Sequence, residues 1–185
     1  MTPGVDAPHA HRARKRPAWT TRPGGHAPRA RCTRSSLVLG VLVLAAVVST
    51  RWVRLNLSPS VPLGVYRLER RMTPLTRGTL VVLPAPTSMR PWWRSLASLL
   101  KPVAAVAGEE VCGVEGALFI HGEAYGPIYT EAEGKPLPQL DGCHVVPEEA
   151  VFLASTQPKS LDGRYFGMTP MAELTAQAVP LWVWR

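Results

Sequence analysis

Residues 37–48 are apolar without a break, and this run constrains the chain more than any other feature. Ser35, Ser36, Ser49 and Thr50 flank it, and Arg34 and Arg51 bracket it. As a helix, residues 35–50 would span about 24 Å, somewhat short of a hydrocarbon core of roughly 30 Å. The arginines can snorkel at both ends, and Trp52 suits an interface. Two readings fit. One is a single transmembrane anchor over residues 35–53, with the preceding basic residues cytoplasmic by the positive-inside rule. The other is a cleaved signal peptide, whose apolar stretch is typically about 7–15 residues. Ala46 and Ser49 are small enough for cleavage, but no A-x-A follows, so the anchor is preferred. Either reading exports the chain from Arg51 onward. The arginine brackets weigh against a buried soluble helix.

Charge divides the chain at the same place. Residues 1–34 hold eight of the 21 Lys and Arg and one of the 13 acids, Asp6, which leaves 13 basic and 12 acidic residues for the remaining 151. The basic balance belongs to the tail, and the near-neutral remainder gives no support to nucleic-acid binding. The tail is rich in Arg, Pro, Ala, Gly and His without apolar periodicity, which predicts a disordered cytoplasmic segment with some attraction to anionic lipid. Cys112 and Cys143 fall in the exported part, where disulfides form. Joined, they close a loop of about 32 residues, worth roughly 3–4 kcal/mol. The alternative is two buried free thiols. A zinc site with His121 and His144 fits no usual spacing.

Beyond residue 54 the signals are those of short strands. Residues 64–69 alternate after a Pro-Leu-Gly turn, and residues 79–83 are a short apolar run between Gly78 and Pro84. Residues 104–106, 117–121 and 151–154 read as further strands, and 125–142 as a loop. Residues 88–100 are the one helix expected outside the membrane, with Trp92, Leu96, Leu99 and Leu100 on one face and Pro91 near its start. The sum is a mostly-β domain over residues 54–185, large enough to build its own core.

Two prolines, Pro59 and Pro62, pin the backbone around Ser60 on a non-helical segment. Alone, the segment reads as a proline-rich linker. A serine hydroxyl needs a base to act as nucleophile. The exported histidines, His121 and His144, have nothing around them that recommends a triad. Of the three exported lysines, Lys135 and Lys159 lie in polar loops. Lys101 is surrounded by Leu99, Leu100, Val103 and Ala104. Holding it neutral at pH 7 requires a pKa drop of more than about 3 units, roughly 4.6 kcal/mol, from about 10.4. Burial in an apolar wall can supply that. The bland alternative is a lysine whose stem packs while its head reaches water.

Three blocks, in order, resemble the type I signal peptidases, most closely the TraF-type peptidases of conjugative transfer systems. They are Ser58-Pro59-Ser60-Val61-Pro62-Leu63-Gly64-Val65-Tyr66, then Leu100-Lys101-Pro102-Val103 through Gly108-Glu109, then Ser160-Leu161-Asp162-Gly163-Arg164-Tyr165-Phe166-Gly167. The resemblance implies a mostly-β signal-peptidase-like domain on one N-terminal transmembrane helix. It implies Ser60 as nucleophile, Lys101 as general base, and Ser58 with the Ser60 N–H as oxyanion donors. Ser160 is implied to orient the amine, with Asp162 and Arg164 as a supporting ion pair and the aspartate also important for activity in the TraF type. Some positions depart from the pattern. Val61 stands where methionine is frequent, Glu109 where aspartate is usual, and Pro102 directly follows the lysine. Gly163 replaces a common serine, a change expected to loosen that loop.

The reading is therefore a serine endopeptidase of the bacterial inner membrane, single-pass, with its catalytic domain in the periplasm. Its expected substrates are exported precursor proteins with small residues at the cleavage site, a conjugative pilin foremost; its other partner is the lipid bilayer. No metal or cofactor is required. Two rivals are a noncatalytic membrane-anchored assembly protein and a Ser-Lys self-cleaving repressor. The second should be cytosolic and carry a helix-turn-helix, whereas here the tail reads as disordered and an anchor is expected to intervene.

Overall fold

A computed structural model describes residues 34–49, 51–71, 74–92 and 97–184. The basic tail over residues 1–33 lies outside the described residues. The chain enters as α1 (Arg34–Ser49), a 16-residue helix whose described side chains are all exposed. Among the described residues no helix is long and apolar enough to cross a membrane. The span expected over 35–53 is thus shorter as a helix. Its far end is already sheet: the Trp52 carbonyl accepts the Leu68 N–H at 2.7 Å, and Val53 begins the first strand.

The strands follow as β1 (Val53–Asn56), β2 (Gly64–Glu69), β3 (Leu80–Pro84), β4 (Ser98–Ala105), β5 (Glu110–Val114), β6 (Ala117–Ile120) and β7 (Glu123–Pro127). Two short pairs of residues, β8 (Glu131–Ala132) and β9 (Lys135–Pro136), form a small hairpin. Then come β10 (Gly142–Val145), β11 (Ala150–Leu153), the single turn α2 (Gly163–Phe166), β12 (Thr169–Pro170) and β13 (Ala176–Val183). One sheet has seven strands in the order β1-β2-β13-β3-β4-β11-β12, and a second has the order β10-β5-β6-β7.

The central strands β3, β4 and β11 of the large sheet are buried on both faces, and alternation along them sorts the core. Val81, Leu83, Leu99 and Val103 join one cluster with Val111, Leu118 and Ile120 of the second sheet. Val82 and Leu100 point the other way, into a cluster with Val61, Tyr66 and Ala176. Fully burying a side chain of this size stabilises the fold by about 1.5–3 kcal/mol. This two-sided burial explains the main error of the sequence reading. The helix expected over 88–100 is a 3₁₀ turn at Thr87–Met89 followed by β4 from Ser98, with 93–96 outside the described residues. A strand apolar on both sides lacks a period-2 signature and mimics a helical face. The loop expected over 125–142 also carries the end of β7 and the β8–β9 hairpin.

Gly64 is required where β13 crosses β2. A Cβ there would collide with the Trp182 carbonyl and the Val183 Cα, both main-chain atoms that cannot swing aside.

Candidate active site

The loop between β1 and β2 carries Ser58 and Ser60, and the residues around it fix its backbone. Asn56, 5% exposed, donates from Nδ2 to the carbonyls of Ser58, Val61 and Pro62 at 2.8, 3.2 and 3.1 Å. Its Oδ1 accepts the Ser58 N–H at 3.3 Å. The Tyr66 hydroxyl donates to the Pro62 carbonyl at 2.5 Å. From a distant part of the chain, the Ser155 hydroxyl donates to the Ser60 carbonyl at 2.6 Å. Val61 anchors the loop by its side chain in the core. Two groups of Ser60 are left out of this backbone clamp: its hydroxyl, which shares a 3.1 Å hydrogen bond with that of Ser58, and its N–H, which has no hydrogen-bond partner among the described residues.

Lys101 lies on β4 on the same face as Leu99 and Val103, and is 4% exposed. Its Nζ donates to Ser160 Oγ at 2.7 Å. Burial lowers its pKa from 10.5 to about 8, less than the drop expected from the sequence, so the amine is still mostly protonated at pH 7; the Asp162 charge opposes the drop and Arg164 reinforces it. Pro102 does not disturb this strand. The Val103 N–H bonds the Thr79 carbonyl, so the Pro102 nitrogen faces away from β3. On that other side β11 pairs with β4 only at Val103 and Ala105, so no ladder donor is missing there.

Behind Ser160 sits a buried ion pair. Arg164 and Asp162 are both 0% exposed, and Arg164 Nη1 donates to Asp162 Oδ2 at 2.9 Å. The carboxylate also accepts the N–H of Ser155 at 3.0 Å and that of Arg164 at 3.2 Å, the latter capping α2. Arg164 Nη2 donates to the Ser155 carbonyl at 2.7 Å, and its guanidinium stands 5.9 Å from the Tyr125 ring centroid. Burial raises the Asp162 pKa, and Arg164, the Ser155 N–H, Lys101 and the Ser160 hydroxyl pull it back. Gly163 does not loosen this turn: a Cβ there would press on the Phe152 ring and the Leu153 carbonyl, so glycine lets α2 sit tightly against β11.

One cleft of about 230 Å³ is lined by Ser58, Ser60, Lys101 and Ser160, together with Arg54, Gln157 and Lys159. The chemistry open to this set is acyl transfer: a hydroxyl, a buried amine of lowered pKa, and two further donors for an oxyanion. Neither histidine lines the cleft. His121 Nε2 is 3.2 Å from Glu109, and His144 Nε2 bonds the Asp141 carbonyl at 2.7 Å. Cys112 and Cys143 are register partners on β5 and β10 and are joined by a disulfide, which removes both sulfurs as zinc ligands.

A family model described as signal peptidase, peptidase S26, matches residues 30–184. The chain belongs to the peptidase S26 signal peptidase family. This S26 chain is 35% identical over 162 residues to the conjugal transfer protein TraF of Agrobacterium tumefaciens (strain 15955), covering 78% of the chain and 90% of that relative. It is also 35% identical over 162 residues to the probable conjugal transfer protein TraF of Sinorhizobium fredii (strain NBRC 101917 / NGR234), covering 77% of the chain and 86% of the relative. Among solved structures, a signal peptidase I from Enterococcus faecalis V583 matches at 20% identity and a TM-score of 0.37, over 58% of this chain and 98% of that one. In this S26 chain, sequence reading brought Ser58, Ser60, Lys101 and Ser160 to one site but missed Asn56, Tyr66, Ser155 and Arg54. Tyr66 closes the first block, a signal that could have been followed. The other three act through contacts that only the folded chain creates.

Proposed function

We propose that this chain is a membrane-anchored serine endopeptidase that cleaves exported precursor proteins by a Ser60–Lys101 dyad. The single observation that carries the reading is the state of Lys101: buried, lowered to about pKa 8, held by Ser160, and lining the same cleft as Ser60. In its neutral form the amine takes the Ser60 proton as Ser60 Oγ attacks the scissile carbonyl. The tetrahedral oxyanion is met by the Ser58 hydroxyl and the Ser60 N–H. The protonated Lys101 returns its proton to the leaving amine, and water or the substrate's own terminus then resolves the acyl-enzyme. Ser160 accepts a hydrogen bond from the amine and so aims its lone pair.

In this reading residues 1–34 are a cytoplasmic tail, 35–53 an anchor in the bacterial inner membrane, and 54–185 the periplasmic catalytic domain. Exposed apolar residues around β1, which leads into the Ser60 loop, and on β13, which pairs with β2, support a site close to lipid. Trp52, Leu55 and Leu57 on one side and Leu181 and Trp182 on the other are 55–70% exposed, a composition suited to the membrane interface. The relatives' names point to conjugative transfer, and a pilin precursor with small residues before the scissile bond is the proposed substrate. The test is cleavage of an alanine-containing precursor peptide in detergent. Wild type should cleave, and Ser60→Ala and Lys101→Arg should not, since a guanidinium stays protonated throughout the working pH range and cannot accept a proton. Near-normal Lys101→Arg activity would overturn the dyad.

A further inference from the structure

Arg54 brings a charge into the cleft that the dyad does not use. It stands on β1 opposite Tyr66 and is half-buried. Its guanidinium is fixed by Ser98 on β4: Nη1 donates to Ser98 Oγ at 2.7 Å and Nη2 to the Ser98 carbonyl at 2.9 Å. A guanidinium has five N–H donors in a rigid fork. Ser98 takes two, and no carboxylate of the described residues forms an ion pair with Arg54. The cleft wall offers no acid at all; its charged members are Arg54, Lys101 and Lys159. A cation partly withdrawn from water, held in one plane and lacking a counter-ion, is complementary to a carboxylate, which the fork meets with two parallel hydrogen bonds.

Resting on the peptidase reading above, we propose that Arg54 is a specificity-determining residue that binds a carboxylate of the substrate. Ser98 lies three residues from Lys101 on β4, about 10 Å along an extended strand. A substrate running extended beside β4 would therefore bring the carboxylate to Arg54 from about three residues away from the scissile bond. The carboxylate is either an acidic side chain at that position or a free chain terminus. Lys159, exposed at the cleft edge, adds to the same field.

The competing account makes Arg54 a clamp and nothing more. In the sheet order β2, β13 and β3 separate β1 from β4, so the Arg54–Ser98 contact holds a curled sheet. A clamp stabilises the fold but has no preference among peptides.

Binding separates the two. The probes are fluorescent alanine-rich decapeptides carrying one Glu, Gln or Lys at each successive position, with free or amidated C-termini. They are titrated against the Ser60→Ala full chain in detergent by anisotropy, which needs no turnover. The Ser60→Ala chain should bind Glu over Gln at one position by about tenfold, the equivalent of roughly 1.4 kcal/mol, and the preference should shrink with added salt. Arg54→Gln should abolish it, Arg54→Glu should turn it into a preference for Lys, and Arg54→Lys should keep part of it. If the free terminus is favoured over the amide and Glu makes no difference, the chain terminus is the source. Equal or absent binding of all carboxylate peptides by the Arg54-containing chain overturns the proposal whatever the variants do. So does an unchanged ranking in variants whose melting shows them folded. Cleavage of the parent peptide by the Ser60 chain is scored separately: if it fails while Arg54-dependent binding persists, the peptidase reading falls and the carboxylate site stands.

Discussion

Ser155 donates its hydroxyl to the Ser60 carbonyl at 2.6 Å across 95 positions of sequence. Its N–H goes to Asp162 and its carbonyl receives Arg164. All three polar groups of one residue, 1% exposed, thus connect the Ser60 loop to the buried ion pair. Asp162 and Arg164 act on Ser60 through this residue and on Lys101 through Ser160 and their own charges.

Ser155→Ala should therefore weaken catalysis without touching the dyad. Losing one buried hydrogen bond costs about 0.5–1.5 kcal/mol, so kcat should fall up to about tenfold. KM and the pH at half-maximal rate should hold, because Lys101 is not in contact with the serine hydroxyl. A shifted pH profile would assign Ser155 a different role.

Asp162→Asn leaves the Arg164 guanidinium buried without its counter-charge. Breaking such a pair is expected to cost about 3–5 kcal/mol, read as a lower urea midpoint. The double variant Asp162→Asn with Arg164→Met should lose less than the two single variants together, since the stranded charge is gone. Additive losses would mean that the pair is not coupled in the fold.

Lys101 stores a cost that pH can release. Its folded pKa of about 8 lies below the unfolded value of 10.5, so between those pH values the unfolded chain binds more protons and folding stability rises with pH. Below about pH 8 the full penalty, about 3 kcal/mol, is present. Lys101→Met should accordingly be more stable than wild type at pH 7, with the advantage shrinking toward pH 10. The measurement is urea unfolding at both pH values, and a constant difference would contradict the lowered pKa.

Much of this was legible in the chain, and the reasons are physical. β2, β3, β6 and β11 declare themselves because turn residues bound short apolar or alternating runs. Lys101 stands out because its strand is buried on both faces, so its neighbours are apolar on either side. The same property hid the strand's beginning, where Leu99 and Leu100 enter opposite clusters and read as one helical face. Asn56 and Ser155 were invisible for a different reason. A polar residue that satisfies carbonyls in a loop looks like any other polar residue until the fold brings the loop to it. Gly163 shows the limit of substitution logic: the missing side chain tightens the turn because Phe152 occupies its place.

The disulfide between Cys112 and Cys143 closes a loop with a sequence separation of 31 in the smaller sheet. Its removal should cost about 3–4 kcal/mol, seen as a lower Tm after reduction. Non-reducing peptide mapping should recover one cross-linked pair from protein taken from the exported compartment. Two freely alkylated thiols there would contradict the bond.

The central claim is that neutral Lys101 activates Ser60. It is tested most directly by the rate at which a serine-directed acylating probe modifies the chain, followed by intact mass and peptide mapping from pH 6 to 10. The adduct is expected on Ser60 alone, with a rate that rises with pH through a midpoint near 8, where half of the amine has lost its proton, and levels off about one pH unit higher. It should be absent from Lys101→Arg. Modification of Ser60 at the same rate throughout that range, or in Lys101→Arg as fast as in wild type, would contradict the account.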